Sequence, residues 1–234
     1  MQYKPVPIIT LDGPSGTGKG TICHLLAKHL NWNMLDSGTI YRVLAFAANE
    51  KGCLNDITLL VQLALTLKLR FTSSDKNESQ VYLDDKDITL AVRSELCGQN
   101  ASKIAAIPEV RAALLERQRD FAKEPGLVTD GRDMGTVVFP NAFLKIFLYA
   151  SEEERANRRY LQLKKKQINV SLAQVVEELA MRDLRDTNRT HAPLKPAADA
   201  VMVDTTKLSV AQVFDSVLRL VNERLNSSLV KGER

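Results

Sequence analysis

Nine residues constrain this chain more than any others: Gly13-Pro14-Ser15-Gly16-Thr17-Gly18-Lys19-Gly20-Thr21. They lie between an apolar run at 6–11 and a helical pattern at 22–30, so the order is strand, glycine-rich loop, helix. Glycines let the backbone turn tightly and point successive N–H groups inward, and the following helix adds the positive end of its dipole. Lys19 can reach between phosphates as a mobile point charge. The pattern makes a nucleoside triphosphate the first ligand to consider and phosphoryl transfer the first reaction. Glycine-rich turns also occur without a ligand; the strand, the lysine and the helix together favour phosphate. One position departs from the common pattern. A hydroxyl that would reach Mg²⁺ is expected directly after the lysine, but Gly20 stands there and the hydroxyl comes at Thr21.

Such a loop demands a sheet and covering helices, and 234 residues are enough for one α/β domain with a smaller insertion. A net charge of +4 is too mild to argue for a nucleic-acid-binding surface. Cys23, Cys53 and Cys97 are odd in number and far apart, which suits a reducing cytoplasm and suggests neither a disulfide framework nor a zinc site. Residues 1–7 lack a signal-peptide pattern, and no apolar run approaches the ~20 residues that span a bilayer.

Short apolar runs recur at 8–11, 32–35, 127–129, 144–149 and 200–203, with helical patterns between most of them. This alternation predicts a parallel sheet covered on both faces, with ligands at the strands' carboxyl ends. Asp12, Asp36 and Asp130 follow three of these runs and are expected on one functional edge. Residues 67–71 and 81–83 alternate instead, around a polar stretch at 73–80, and predict an antiparallel hairpin with a further turn at 84–87. Helices are expected from Pro108 to about 121, from near Ser151 with a capping box, from 171 to 186, and from 210 to 225, with 227–234 frayed.

Asp130-Gly131-Arg132-Asp133 follows a strand. Asp130 there can hold Mg²⁺ through water, and Arg132 suits a phosphate; the same string equally suits an acidic surface turn. Ser37 is a natural helix cap, or else reads the polar edge of an acceptor whose phosphate Arg42 holds. Arg155, Arg158 and Arg159 share one helix face, and Arg182, Arg185 and Arg189 another. The two stripes suit a reaction that concentrates negative charge, or are solvated faces with ordinary ion pairs. His24, His29 and His191 have no convincing metal-ligand spacing, and no nucleophile–base pair is evident.

Taken together, these strings resemble the bacterial cytidylate kinases, the CMP/dCMP kinases among the nucleoside monophosphate kinases. The resemblance covers nearly the whole chain. It rests on Asp12-Gly13-Pro14-Ser15-Gly16 with Gly18-Lys19-Gly20-Thr21, on Leu35-Asp36-Ser37-Gly38 with Tyr41-Arg42, and on the run from Asp130 to Pro140. Arg182-Asp183, Arg185-Asp186, Asn188-Arg189 and Ala192-Pro193-Leu194 complete it. In that family Gly20-Thr21 is the normal pairing. The resemblance implies an α/β fold: a three-layer P-loop kinase core with a five-stranded parallel sheet at 1–64 and 97–234. It also implies a short helical lid at about 151–170 and an inserted antiparallel monophosphate-binding subdomain at 65–96.

The resemblance further implies ATP bound by residues 13–21, Mg²⁺ with that ATP, and CMP or dCMP as acceptor. Ser37, Arg111, Asp133 and Arg189 would surround the cytosine, and Ser102, Arg182 and Asp186 would meet the sugar. Arg42 and Arg132 would hold the acceptor phosphate, with Tyr41 counted in the substrate-binding set. Lys19, Arg132, Arg158 and Arg159 would stabilise the transferred group. A monomer is implied, without nucleic-acid or membrane partners. Another small acceptor such as UMP, or a nucleotide-dependent switch, is the alternative; the DxxG string usual in GTPase switches and the NKxD string for guanine do not occur.

Overall fold

The computed structural model describes residues 6–73 and 79–232. The tip of the expected hairpin at 74–78 and the termini at 1–5 and 233–234 lie outside the described residues. In chain order the elements are β1 (Ile8–Asp12), α1 (Lys19–Leu30), β2 (Asn33–Asp36), α2 (Ser37–Glu50), α3 (Ile57–Thr66), β3 (Leu69–Ser73), β4 (Ser79–Leu83) and β5 (Lys86–Asp87). Then follow α4 (Thr89–Val92), α5 (Glu95–Ile104), α6 (Pro108–Arg119), β6 (Leu127–Gly131), a π-helical turn (Met134–Val138), β7 (Leu144–Tyr149), α7 (Glu152–Lys165), α8 (Leu172–Thr187), β8 (Val201–Asp204) and α9 (Val210–Gly232).

Among the described residues the strands form a five-stranded parallel sheet in the order β2-β6-β1-β7-β8 and a separate antiparallel sheet, β3-β4-β5. The chain divides into two compact units, one of residues 1–35 and 119–234, the other of residues 36–118. The first holds the parallel sheet. Asp12 of β1 pairs with Gly131 of β6 on one side and Phe147 of β7 on the other, which aligns the carboxyl ends of three strands. Ile9 and Leu11 of β1, Ile22 and Leu26 of α1, Ile146 and Leu148 of β7, and Val213, Val217 and Val221 of α9 form its core. The four-residue spacing of those valines sets them on one stripe of α9, and each buried side chain contributes about 1.5–3 kcal/mol.

β8 differs from the expected fully covered strand: Val201 and Met202 are exposed, because β8 is an edge paired only with β7. α9 continues to Gly232 rather than stopping at 225. At α7, Ser151 accepts from the Glu154 amide at 3.3 Å, while the Glu154 carboxylate turns to Arg158 at 2.8 Å. The reciprocal capping box forms instead at α8, between Ser171 and Gln174. No helix among the described residues is long and apolar enough to cross a membrane.

The unit at 36–118 contains α2 to α5, nearly all of α6, and the antiparallel sheet. β3 and β4 pair with Phe71 opposite Val81, and Asp84 and Asp85, both at positive φ, turn the chain into β5. Short polar side chains tolerate that conformation better than branched ones. This unit is wider in sequence than the 65–96 segment that holds the hairpin.

Candidate active site

The phosphate loop leaves β1 through Gly13, whose φ is 143°, and a Cβ there would fall 2.0 Å from the Leu148 carbonyl oxygen. Only glycine permits that turn so close to β7. The loop ends at Gly18, the N-cap of α1, which has no side chain to cap the helix, so the amides of the first turn are left to an external acceptor. Lys19 is buried, and its Nζ donates to the Pro14 carbonyl at 2.6 Å. Burial holds its pKa well below the ordinary lysine value. Arg132 and Arg182 add to the fall, and Asp130 and Asp12 oppose it. An anion brought to this loop would favour the charged form of Lys19.

Behind the loop lies a charge network. Arg132 Nε meets Asp186 at 2.7 Å, and its Nη2 donates to Ser15 Oγ at 2.7 Å. Arg189 pairs with the other oxygen of Asp186. Burial alone would raise the Asp186 pKa, but Arg132, Arg189 and Arg182 together hold it down to about 2. Asp186 lies in the last turn of α8 and Arg189 just beyond its end, three residues on, so Asp186 meets Arg189 on one side and Arg132, after β6, on the other.

The two arginine stripes do not behave as units. Arg155 is buried, donates to the Ser15 carbonyl at 3.2 Å and pairs with Asp183 of α8. Arg158 pairs with Glu154 and donates to Thr205 Oγ1 at 3.1 Å, while Arg159 donates to Gln162 of its own helix at 2.6 Å. Arg185 bonds the Met181 carbonyl of its own helix. Thus Arg132, Arg182 and Arg189 converge with Lys19 and Asp186, whereas Arg159 and Arg185 bond within their own helices.

Ser37, Tyr41, Arg42, Ser102 and Arg111 of the expected substrate residues lie within the unit at 36–118. The Ser37 side chain does not cap α2. Asp36 does, accepting from the Thr39 amide at 3.1 Å and its hydroxyl at 2.7 Å, because the carboxylate one residue earlier stands at the N-cap position. Ser37 is instead the first residue of the helix and buried. Arg42 donates to the carbonyls of Val92 and Ser94 at 2.8 and 3.2 Å. The Arg111 guanidinium lies 5.7 Å from the Tyr41 ring centroid. The Ser102 hydroxyl is buried with no hydrogen-bond partner among the described residues.

Asp130 is buried at the end of β6 and close enough to Lys19 to raise its pKa. Among the described residues no cluster of three or more His, Cys, Asp or Glu side chains is placed to hold a metal ion. That donor set fits an ion carried on a nucleotide's phosphates and touched by one carboxylate, and does not fit a closed protein cage.

Residues given no role in the sequence reading also contribute. Thr205 at the end of β8 bonds the Tyr149 carbonyl at 3.1 Å and the Thr17 carbonyl at 3.2 Å, which ties the edge of the sheet to the phosphate loop. Asp183 holds Arg155. Asp183 stands in the Arg182-Asp183 string and Thr205 in no distinctive one, but only their positions after folding reveal these contacts.

A parallel sheet in this order, a glycine-rich loop after its central strand and a lysine at the first turn of α1 define a P-loop kinase. A solved gluconokinase from Sinorhizobium meliloti 1021 shares the fold, with a TM-score of 0.50 at 14% identity over 99% of this chain and 100% of that one. The profile of the family described as Cytidylate kinase matches residues 9–223. A cytidylate kinase of Pseudomonas fluorescens (strain Pf0-1) is 55% identical over 214 residues, 91% of this chain and 93% of its own length. One of Stutzerimonas stutzeri (strain A1501) is 54% identical over 223 residues, 94% and 97% of the two chains. The chain belongs to the cytidylate kinase family.

Proposed function

We infer that this chain transfers the γ-phosphoryl group of ATP to CMP and dCMP, releasing ADP and CDP or dCDP. The observation that carries the phosphoryl-transfer half is the loop's geometry: Gly18 leaves the first turn of α1 without a side-chain cap, and Lys19 is buried beside it with its Nζ on the Pro14 carbonyl at 2.6 Å. Cations crowded at a loop of inward amides are relieved by a phosphate group. The acceptor half rests on family membership and on the positions that the family resemblance assigns to the cytosine.

A phosphate oxygen of the acceptor attacks the γ-phosphorus, and the bond to the β–γ bridging oxygen breaks as ADP leaves. The acceptor phosphate is already a competent nucleophile, so no strong general base is required. The loop 13–21 holds the donor phosphates. Lys19 exchanges the Pro14 carbonyl for phosphate oxygens, and Arg132 exchanges Ser15 for the acceptor phosphate alongside Arg42. Arg158 and Arg159 then stabilise charge on the transferred group. Mg²⁺ bound with ATP, touched by Asp130 through water, would neutralise charge on the phosphates.

Arg189, Arg111, Ser37 and Asp133 read the base. The Asp133 carboxylate accepts from the exocyclic amine of cytosine, where uracil presents another acceptor, so uracil is rejected. Ser102, Arg182 and Asp186 meet the sugar; the buried, unpartnered Ser102 hydroxyl is consistent with a polar ligand there. The segment at 151–170 serves as the lid and the hairpin segment at 65–96 as part of the monophosphate-binding region, in a cytoplasmic monomer. The test is ADP formation from MgATP with CMP, dCMP, UMP, AMP and GMP in turn. Strong signals for CMP and dCMP with a weak one for UMP are expected. Equal turnover of UMP would remove the base-reading role, and no acceptor-dependent ADP would remove the kinase assignment for these acceptors.

A further inference from the structure

Asp12 is buried at the end of β1, directly before the phosphate loop. Its Oδ1 accepts from the Met134 amide at 2.9 Å and its Oδ2 from the Gly135 amide at 2.7 Å. Those are the first two amides of the π-helical turn that follows Asp133. Asp133 stands at the N-cap position of that turn, yet its side chain makes no capping bond to it. The cap comes from another strand. The turn can accept it only because it lies tight against the sheet: a Cβ on Gly135 would come within 2.8 Å of Thr10 Oγ1 and 3.1 Å of Lys145 Cδ. Further along, the Asp133 carbonyl accepts from Val137 at 2.9 Å, and Met134 from Phe139 at 2.7 Å, so the cap locks a turn with bonds of its own.

We propose that Asp12 is a positioning residue for acceptor recognition: by capping the turn at 134–135 across the sheet, it sets the placement of Asp133 and Arg132 and so the choice of CMP over UMP. A short polar residue before a helical turn commonly caps it with its own side chain. Here a partner in β1 does so, and the Asp133 carboxylate is not spent on its own turn. The same β1 residue begins the phosphate loop, so donor loop and acceptor-reading turn share one fixed point. This proposal rests on the reading of Asp133 and Arg132 as acceptor-binding residues.

The test is steady-state kinetics on the full chain carrying Asp12→Asn. Asparagine keeps the outline, but only one of its two terminal atoms accepts, so one amide loses its acceptor and faces a donor. The KM for CMP is expected to rise about tenfold or more, and the CMP-over-UMP ratio of kcat/KM to fall, with a smaller change in the Kd for ATP. Gly135→Ala, which pushes the turn off the sheet, should move the same two quantities in the same direction. A folded Asp12→Asn with wild-type CMP KM and wild-type discrimination overturns the proposal. So does an equal loss of ATP and CMP binding, the mark of a merely structural role. If Asp12→Asn does not fold, amide exchange of the unmodified chain decides: Met134 and Gly135 protected like β1 support the cap, and exchange at the rate of an exposed loop overturns it. Asp133→Ala measured alongside separates the two layers. An unchanged CMP/UMP ratio in that variant sinks the reading of Asp133, whereas a lowered ratio there with an unaltered one in Asp12→Asn sinks the proposal.

Discussion

The turn after β1 and the turn after β6 leave neighbouring strands at the same edge of the sheet, and each presents the amides of a first helical turn. After β6, Asp12 fills that role and accepts from Met134 and Gly135. After β1, the N-cap is Gly18, which carries no side chain, and the charge nearby is the cationic Lys19. One turn carries its anion in the chain; the other is built so that the anion is a ligand. Helix N-termini attract negative charge in both cases. Whether the chain itself supplies that charge separates a structural turn from a binding turn.

The largest test of this contrast is Lys19→Ala. Turnover should fall about 10³-fold, while the melting temperature holds or rises, because burial and Arg132 already disfavour the ammonium. Near-normal kcat would break the comparison at the ligand-binding turn. Next, Asp186→Asn leaves Arg132 and Arg189 buried without their shared counter-charge. It should cost about 3–5 kcal/mol in urea unfolding at pH 7. A variant as stable as the parent would mean that the network is solvated and not internally paired.

A pH series sharpens the same point. The Asp186 pKa is held down to about 2, below the ordinary 3.8, so its stabilisation is fully present above about pH 4 and disappears as pH falls through 2. The stability gap between parent and Asp186→Asn should shrink by about 2 kcal/mol over that window. A gap that stays constant with pH would assign the cost to packing. The smallest effect is Gly20→Ala. Its Cβ would meet nothing within 4 Å, so helix propensity alone should raise stability by about 0.5–1 kcal/mol in thermal unfolding. A loss instead would show that the first turn of α1 does not tolerate a side chain.

Much of this was legible before folding. The apolar runs at 8–11, 127–129 and 144–149 became β1, β6 and β7, since strands covered on both faces write themselves as continuous apolar stretches. The alternation at 67–71 and 81–83 became the β3–β4 pair. Capping was less legible. Asp36 and Ser37 are both good caps, and which of them stands at the N-cap depends on where β2 releases the chain. Glu154 has the right spacing for a capping box but finds a guanidinium more rewarding at 2.8 Å. Arg155, Arg158 and Arg159 share a helix face, yet one grips the phosphate loop's backbone, one the end of β8 and one its own helix.

By itself the sequence determined the phosphate loop, the parallel sheet and the family, because local periodicity, glycine placement and ordered motifs are properties of neighbours along the chain. Only the tertiary structure decided that Arg132 joins Ser15 to Asp186, that Thr205 ties β8 to the loop, and that Asp12 caps a turn 122 residues further on. Those pairings are set by strand order. β6 lies beside β1 although nearly half the chain separates them, and a carboxylate finds its two amides only when that register brings Asp12 opposite Gly131.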